Sequence, residues 1–342
     1  NYPIFEGCSQ LEQVEIDDGR TNIPAYLFAK CPGLKQITIP DTVTDIRSHA
    51  FYMCKNMEIA QLPDSLETIG DSAFYGCGLK SLQLPQYLRT VSDSAFAYCS
   101  ALQNVQISNP GISYGSGVFH YCTSLKGVEL PAEMKSIPDS MFSYCSSLES
   151  ITLPDSVTSI QHYAFSNCTA LKEIVWSKSL STIGVYALQN IALTELLIPE
   201  TITSIDSSAF QNCDALTTVV VPDSVTSLGS GVFYDCDALT NVTLGAGITA
   251  IPSAAFEHCD LLAEITIPRR VTSIGDTAFK DCVKFRAVHI PRSVTSISST
   301  AFSYLSKLTI YGVPGTYAET FANANSITFV SEEIHAESLV LD

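Results

Sequence analysis

The sequence predicts a β-rich α/β solenoid of about fourteen stacked coils, each roughly 23 residues long, with a parallel sheet on one face and short helical turns. Three regularities point to it: a cysteine column, a phenylalanine column, and a strand-and-turn pattern that recurs in step with both.

The cysteines set the ruler. They stand at Cys8, Cys31, Cys54, Cys77, Cys99, Cys122, Cys145, Cys168, Cys213, Cys236, Cys259 and Cys282. Nine of the eleven intervals are 23 residues, one is 22 and one is 45, which leaves room for a missing rung at Ile191. One step beyond Cys282 lands on Leu305. Three residues before each rung runs a phenylalanine column from Phe5 to Phe302, interrupted at Leu188. A 342-residue chain would ordinarily be divided into two or three domains, but this period replaces them with one stack.

Each element of a coil follows from local chemistry. In Cys145-Ser-Ser-Leu148-Glu-Ser-Ile151-Thr-Leu153-Pro154, the stretch Ile151–Leu153 alternates apolar and polar as a half-buried strand should. Pro154 removes a ladder donor and ends the strand, and Asp155-Ser156 supplies the turn. Val157 and Ile160 face inward from a second short extended segment. Ala164-Phe165-x-x-Cys168 has the three-residue apolar step of a single helical turn. No coil can bury these side chains alone; stacking turns them into one continuous core.

Composition narrows the functions. With 35 acidic against 18 basic residues, the net charge is −17, which argues against nucleic acid as a partner. Apolar runs such as Leu196–Ile198 and Val219–Val221 are too short to insert in a membrane. The twelve thiols are expected to be free, buried rungs. Equivalent Cβ atoms of adjacent coils lie about 4.8 Å apart, whereas a disulfide needs about 3.5–4.5 Å and converging vectors. Aliphatic residues also serve at Ile191 and Leu305. No Cys-x-x-Cys and no histidine in register with the rungs suggests a metal site, and none of the familiar catalytic motifs occurs, so no catalytic residue, metal or cofactor is expected. Asp17-Asp18-Gly19 and Asp235-Cys-Asp237 hint at calcium but read better as solvated acidic surface.

The unit I-x-I-P-x-x-V-x-x-I-x-x-x-A-F-x-x-C resembles the BspA-like leucine-rich repeat of bacterial surface antigens, over residues 1–312. Local departures are Leu188 and Ile191, Trp176-Ser177 in place of Ile-Pro, and one residue lost after Cys77 and again after Ile191. Residues 313–331 look like the family's closing unit, with Thr316 capping a short helix through Ala322 and a final strand at Ile327–Val330. Residues 332–342 read as a linker or the start of a further module. The resemblance implies a secreted or wall-attached, non-enzymatic protein that contacts host or neighbouring-cell proteins.

Two surface columns are the binding candidates. The outward strand position runs Glu15, Thr38, Gln61, Gln83, Gln106, Glu129, Thr152, Val175, Leu197, Val220, Thr243, Thr266 and His289. Val175, Leu197 and Val220 are its apolar exceptions, with Glu173 and Glu195 beside them. The second column is Tyr98, Tyr121, Tyr144 and Tyr304, each just before its rung, with His258 at the matching position. The expected function is recognition of a host matrix or cell-surface protein by an extracellular monomer; the alternatives are a structural spacer and a glycan-binding module.

Overall fold

Two short strands per coil set the architecture. The first spans three or four residues with one side buried, as in Ser150–Thr152; the second is a two-residue strand such as Ser159–Ile160. Pairing is parallel and offset by one period, so that Ser150, Ile151 and Thr152 face Glu173, Ile174 and Val175. Sequence period and structural register therefore coincide. The computed structural model describes residues 4–332 as a parallel-strand solenoid of about 14 turns with very little helix. It comprises two compact units, Asn1–Ala192 and Leu193–Asp342.

Proline marks the strand end as the sequence requires. After Pro154 the chain reverses, and the Val157 amide closes the turn on the Pro154 carbonyl at 3.0 Å. The same bond recurs from Val43 to Pro40, Val225 to Pro222 and Val271 to Pro268. It delivers Val157, Val225 and Val271, all fully buried, to the core.

The Ala-Phe-x-x-Cys step turns without becoming helical, which corrects the sequence expectation. Residues one and five places before a cysteine adopt left-handed backbone: Tyr163 and Asn167 have φ of 56° and 61°. Each residue switches the direction of the next peptide group. Ala164, Ser166 and Cys168 then donate inward to Gln161, Tyr163 and Phe165, while Ser140, Phe142 and Tyr144 donate across to His162, Ala164 and Ser166 of the next coil. A helical turn would spend those amides within its own coil; alternation makes the segment a third ladder between coils.

The apolar columns fill the interior. Phe119, Phe142 and Phe165 are fully buried, with ring centroids 5.8 and 5.5 Å apart in near-parallel stacks. In the second unit Phe210 and Phe233 stand 5.7 Å apart. Leu188 and Ile191 occupy the broken rungs and are buried like the residues they replace. Among the described residues no cysteine is joined in a disulfide, and all twelve are buried except Cys8, which is half-buried beside the exposed Phe5. The thiols do more than fill space: Cys54, Cys122, Cys168 and Cys259 each donate to the phenylalanine carbonyl one coil earlier, at 3.0–3.3 Å.

The closing unit carries a helix, Tyr317–Ala324, and a strand, Thr328–Ser331, paired in parallel with Thr309–Gly312. Thr316 is the N-cap residue, but its hydroxyl donates to the Val313 carbonyl at 2.7 Å instead of accepting from the first turn. Glu319 reaches back to the Gly315 amide at 2.7 Å, where its charge also complements the helix N-terminus. Phe321 packs edge-on to Phe302, the last ring of the phenylalanine column. The expected linker or further module at 332–342 lies, beyond Glu332, outside the described residues.

Candidate functional site

The strand alternation that buries Leu196 and Ile198 forces Leu197 outward, where it is 61% exposed. Leu197 sits in register with Val220, and Val220 with Thr243. Glu195, also exposed, pairs with Thr218 one step along the same strands. In the first unit Val175 is 48% exposed and in register with Thr152, with the exposed Glu173 beside Ser150. Within each unit, these side chains offer apolar contact area beside a carboxylate.

The tyrosine column is a stacked ladder. Tyr98, Tyr121 and Tyr144 follow one another at 4.6 and 4.2 Å between centroids, nearly parallel. Two further rings, Tyr52 and Tyr75, extend it at 5.0 and 4.9 Å although they stand two residues before their cysteines. Counting aromatics at either of those two positions would have found them. His120 meets Tyr98, Tyr121 and Tyr144 edge-on. Because the rings face one another, each ring inside the stack offers its edge and hydroxyl rather than an open face. Tyr98, Tyr121 and Tyr144 hold left-handed backbone, φ 57–61°, a conformation more natural to the Asn167 that follows in the column.

The buried thiols are chemically quiet. Burial pushes Cys54, Cys99, Cys168 and Cys282 up to about 12, far from nucleophilic or metal-binding ionisation. Near Asp235-Cys-Asp237, partial burial and then the neighbouring carboxylates raise Asp214 and Asp235 above the usual range. Among the described residues, no group of three or more His, Cys, Asp or Glu side chains is placed to hold a metal ion. Nor is any described helix long and apolar enough to cross a membrane.

A family model described as the BspA type leucine rich repeat region, in six copies, matches residues 1–103, 89–217, 135–263 and 181–309. The chain belongs to this family. Among solved structures, a leucine-rich repeat protein from Bacteroides ovatus superposes with a TM-score of 0.77 at 28% identity, over 92% of this chain and 88% of its own. A leucine rich cell surface protein from Faecalibacterium prausnitzii gives 0.57 at 31% identity, over 88% and 83%. The pneumococcal vaccine antigen PcpA shares the fold, with a TM-score of 0.54 at 18% identity over 92% and 85%. No curated protein matches the chain.

Proposed function

We propose that this BspA-type chain is a non-enzymatic protein-recognition module, monomeric and displayed at the cell surface or secreted, that binds a host matrix or neighbouring-cell protein through its solenoid face. The carrying observation is Leu197, a large apolar side chain 61% exposed in mid-strand and in register with Val220. Nothing in the coil requires an apolar residue there: Thr266 and Gln106 hold the equivalent position in other coils. Desolvating such a side chain against a partner stabilises a complex by about 1.5–3 kcal/mol. The Faecalibacterium relative is a cell surface protein and the pneumococcal one a vaccine antigen, which supports an exposed location.

The test is a binding screen of the chain against immobilised host matrix proteins, repeated with Leu197→Glu. Loss of binding with an unchanged melting temperature supports the reading; undiminished binding removes this surface from it.

A further inference from the structure

The first unit carries a groove on its strand face. Three cavities of about 660, 670 and 450 Å³ run along it, joined by shared walls: Gln61 and Asp64 line the first two, Ser81 and Gln83 the second and third. The middle cavity lies where the repeat is one residue short. The coil that starts at Cys77 is one residue short, and Leu79 turns inward two places after its cysteine where Met57 needs three. Gly78 is pinched against the previous coil, with room for no Cβ: one would lie 2.3 Å from the Lys55 carbonyl oxygen. Strand pairing is interrupted there, with Ile59–Gln61 ending one sheet and Ser81–Leu84 beginning the next, as it also is between Gly127–Glu129 and Ser150–Thr152 in coils of full length. The bond from the Lys80 amide to the Glu58 carbonyl is stretched to 3.4 Å.

Gln61, Gln83 and Gln106 form a row of exposed carboxamides along this groove, continued in register by Glu129. Among the described residues, none of the three amides has a hydrogen-bond partner within the protein. A carboxamide offers both a donor and an acceptor, the same pair that an extended peptide backbone presents. Charge then selects the partner. Five carboxylates line the three cavities, Asp18, Asp41, Glu58, Asp64 and Glu129, with no Lys or Arg among them. Lys80 pairs with Glu58 from outside the lining at 2.6 Å; among the described residues the other four have no cationic partner.

We infer that the groove from Thr38 to Glu129 binds an extended, lysine- or arginine-rich polypeptide segment, its backbone hydrogen-bonded by the glutamine row and its cations seated on the acidic walls. This deepens the protein-recognition reading by naming a partner chemistry, and it stands apart from the Leu197 surface.

The test is fluorescence anisotropy of a labelled peptide of alternating lysine and serine on the whole chain. Binding should weaken steeply as salt rises from about 50 to about 300 mM, over which the screening length shortens about 2.4-fold. The triple variant Asp41→Asn/Asp64→Asn/Glu129→Gln should lose about tenfold in affinity, three exposed ion pairs at roughly 0.5 kcal/mol each. A control, Asp214→Asn/Asp237→Asn/Asp260→Asn, removes the same charge from the second unit and should bind as the parent does. Equal loss in both triples would reduce the effect to bulk attraction by a chain of net charge −17 and overturn the inference. So would undiminished binding of the peptide with acetylated lysines, or its displacement by cellohexaose. Carbodiimide cross-links from peptide lysines should fall on Asp41, Asp64 and Glu129. Leu197→Glu should leave peptide binding intact, so that failure at one surface is separable from failure at the other.

Discussion

The Sγ of Cys168 donates to the carbonyl oxygen of Phe142, 3.1 Å away in the preceding coil. The same carbonyl accepts the Cys145 amide at 3.1 Å, so one oxygen closes a turn and ties two coils together. A cysteine at this rung is thus both a small apolar filler and a weak donor. Replacing Cys168 by alanine should cost about 1–2 kcal/mol, lost packing plus a carbonyl deprived of one partner. Urea unfolding would measure it.

Burial of the thiols also sets an alkaline limit. Cys54, Cys99, Cys168 and Cys282 move from 9.0 in the unfolded chain to about 12 when folded. Between those values the unfolded state binds fewer protons than the native one, so stability falls as pH rises. It is fully present below pH 9 and should be lost progressively above it. Urea midpoints taken on both sides of that value should decline only on the alkaline side. Native alkylation should label Cys8, the half-buried thiol, ahead of the rest.

Phe142→Ala should be the severe core change. Its ring lies 5.8 Å from Phe119 and 5.5 Å from Phe165, and deletion opens a cavity in the middle of the column. The expected loss is about 3–5 kcal/mol. Phe142→Leu repeats what the chain already holds at Leu188 and should cost less than half as much, visible as the smaller fall in melting temperature.

Tyr121 should reverse the ordinary ranking of alanine and glycine. At φ 57° an alanine keeps the backbone strain and loses the stack with Tyr98 and Tyr144. Glycine loses the stack but relieves the strain, so Tyr121→Gly should be the more stable of the two by about 1 kcal/mol. Calorimetry of the pair decides it.

Tyr114 replaces an apolar residue of the second-strand column, in register with Val91, and its buried hydroxyl has no hydrogen-bond partner in the protein. Burial drives its ionisation upward. Tyr114→Phe should therefore raise stability by about 1 kcal/mol. A loss of stability would mean that the hydroxyl is satisfied in solution.

Much of this fold was legible because every coil must return the same side chain to the same place in the core. Cys145 to Cys168 and Phe142 to Phe165 are 23 residues apart for the same reason that Ile151 lies beside Ile174. The left-handed turns were not legible. Lys30, Met53, Tyr98 and Asn167 share one backbone conformation, and only asparagine is a residue type that suggests it. A three-residue apolar step fits a helical turn and a pair of tight turns equally well. At the surface, the outward direction of Leu197 followed from strand alternation, whereas the groove did not. The residue missing after Cys77 was visible in the chain, but the groove is built by several stacked coils, and no single coil carries it alone.

The ladder between Ser140, Phe142, Tyr144 and the carbonyls of His162, Ala164 and Ser166 joins like to like. A coil's two broad faces are consequently interchangeable with those of its neighbours along a regular run. Excision or duplication of one whole period would rejoin matching surfaces and leave the core columns aligned, whereas loss of a single residue must be absorbed within one coil, as it is between Cys77 and Leu79. For a lineage of such chains, length can drift by recombination in whole coils while the outward side chains diverge independently. Reach and recognition are then inherited as separate traits.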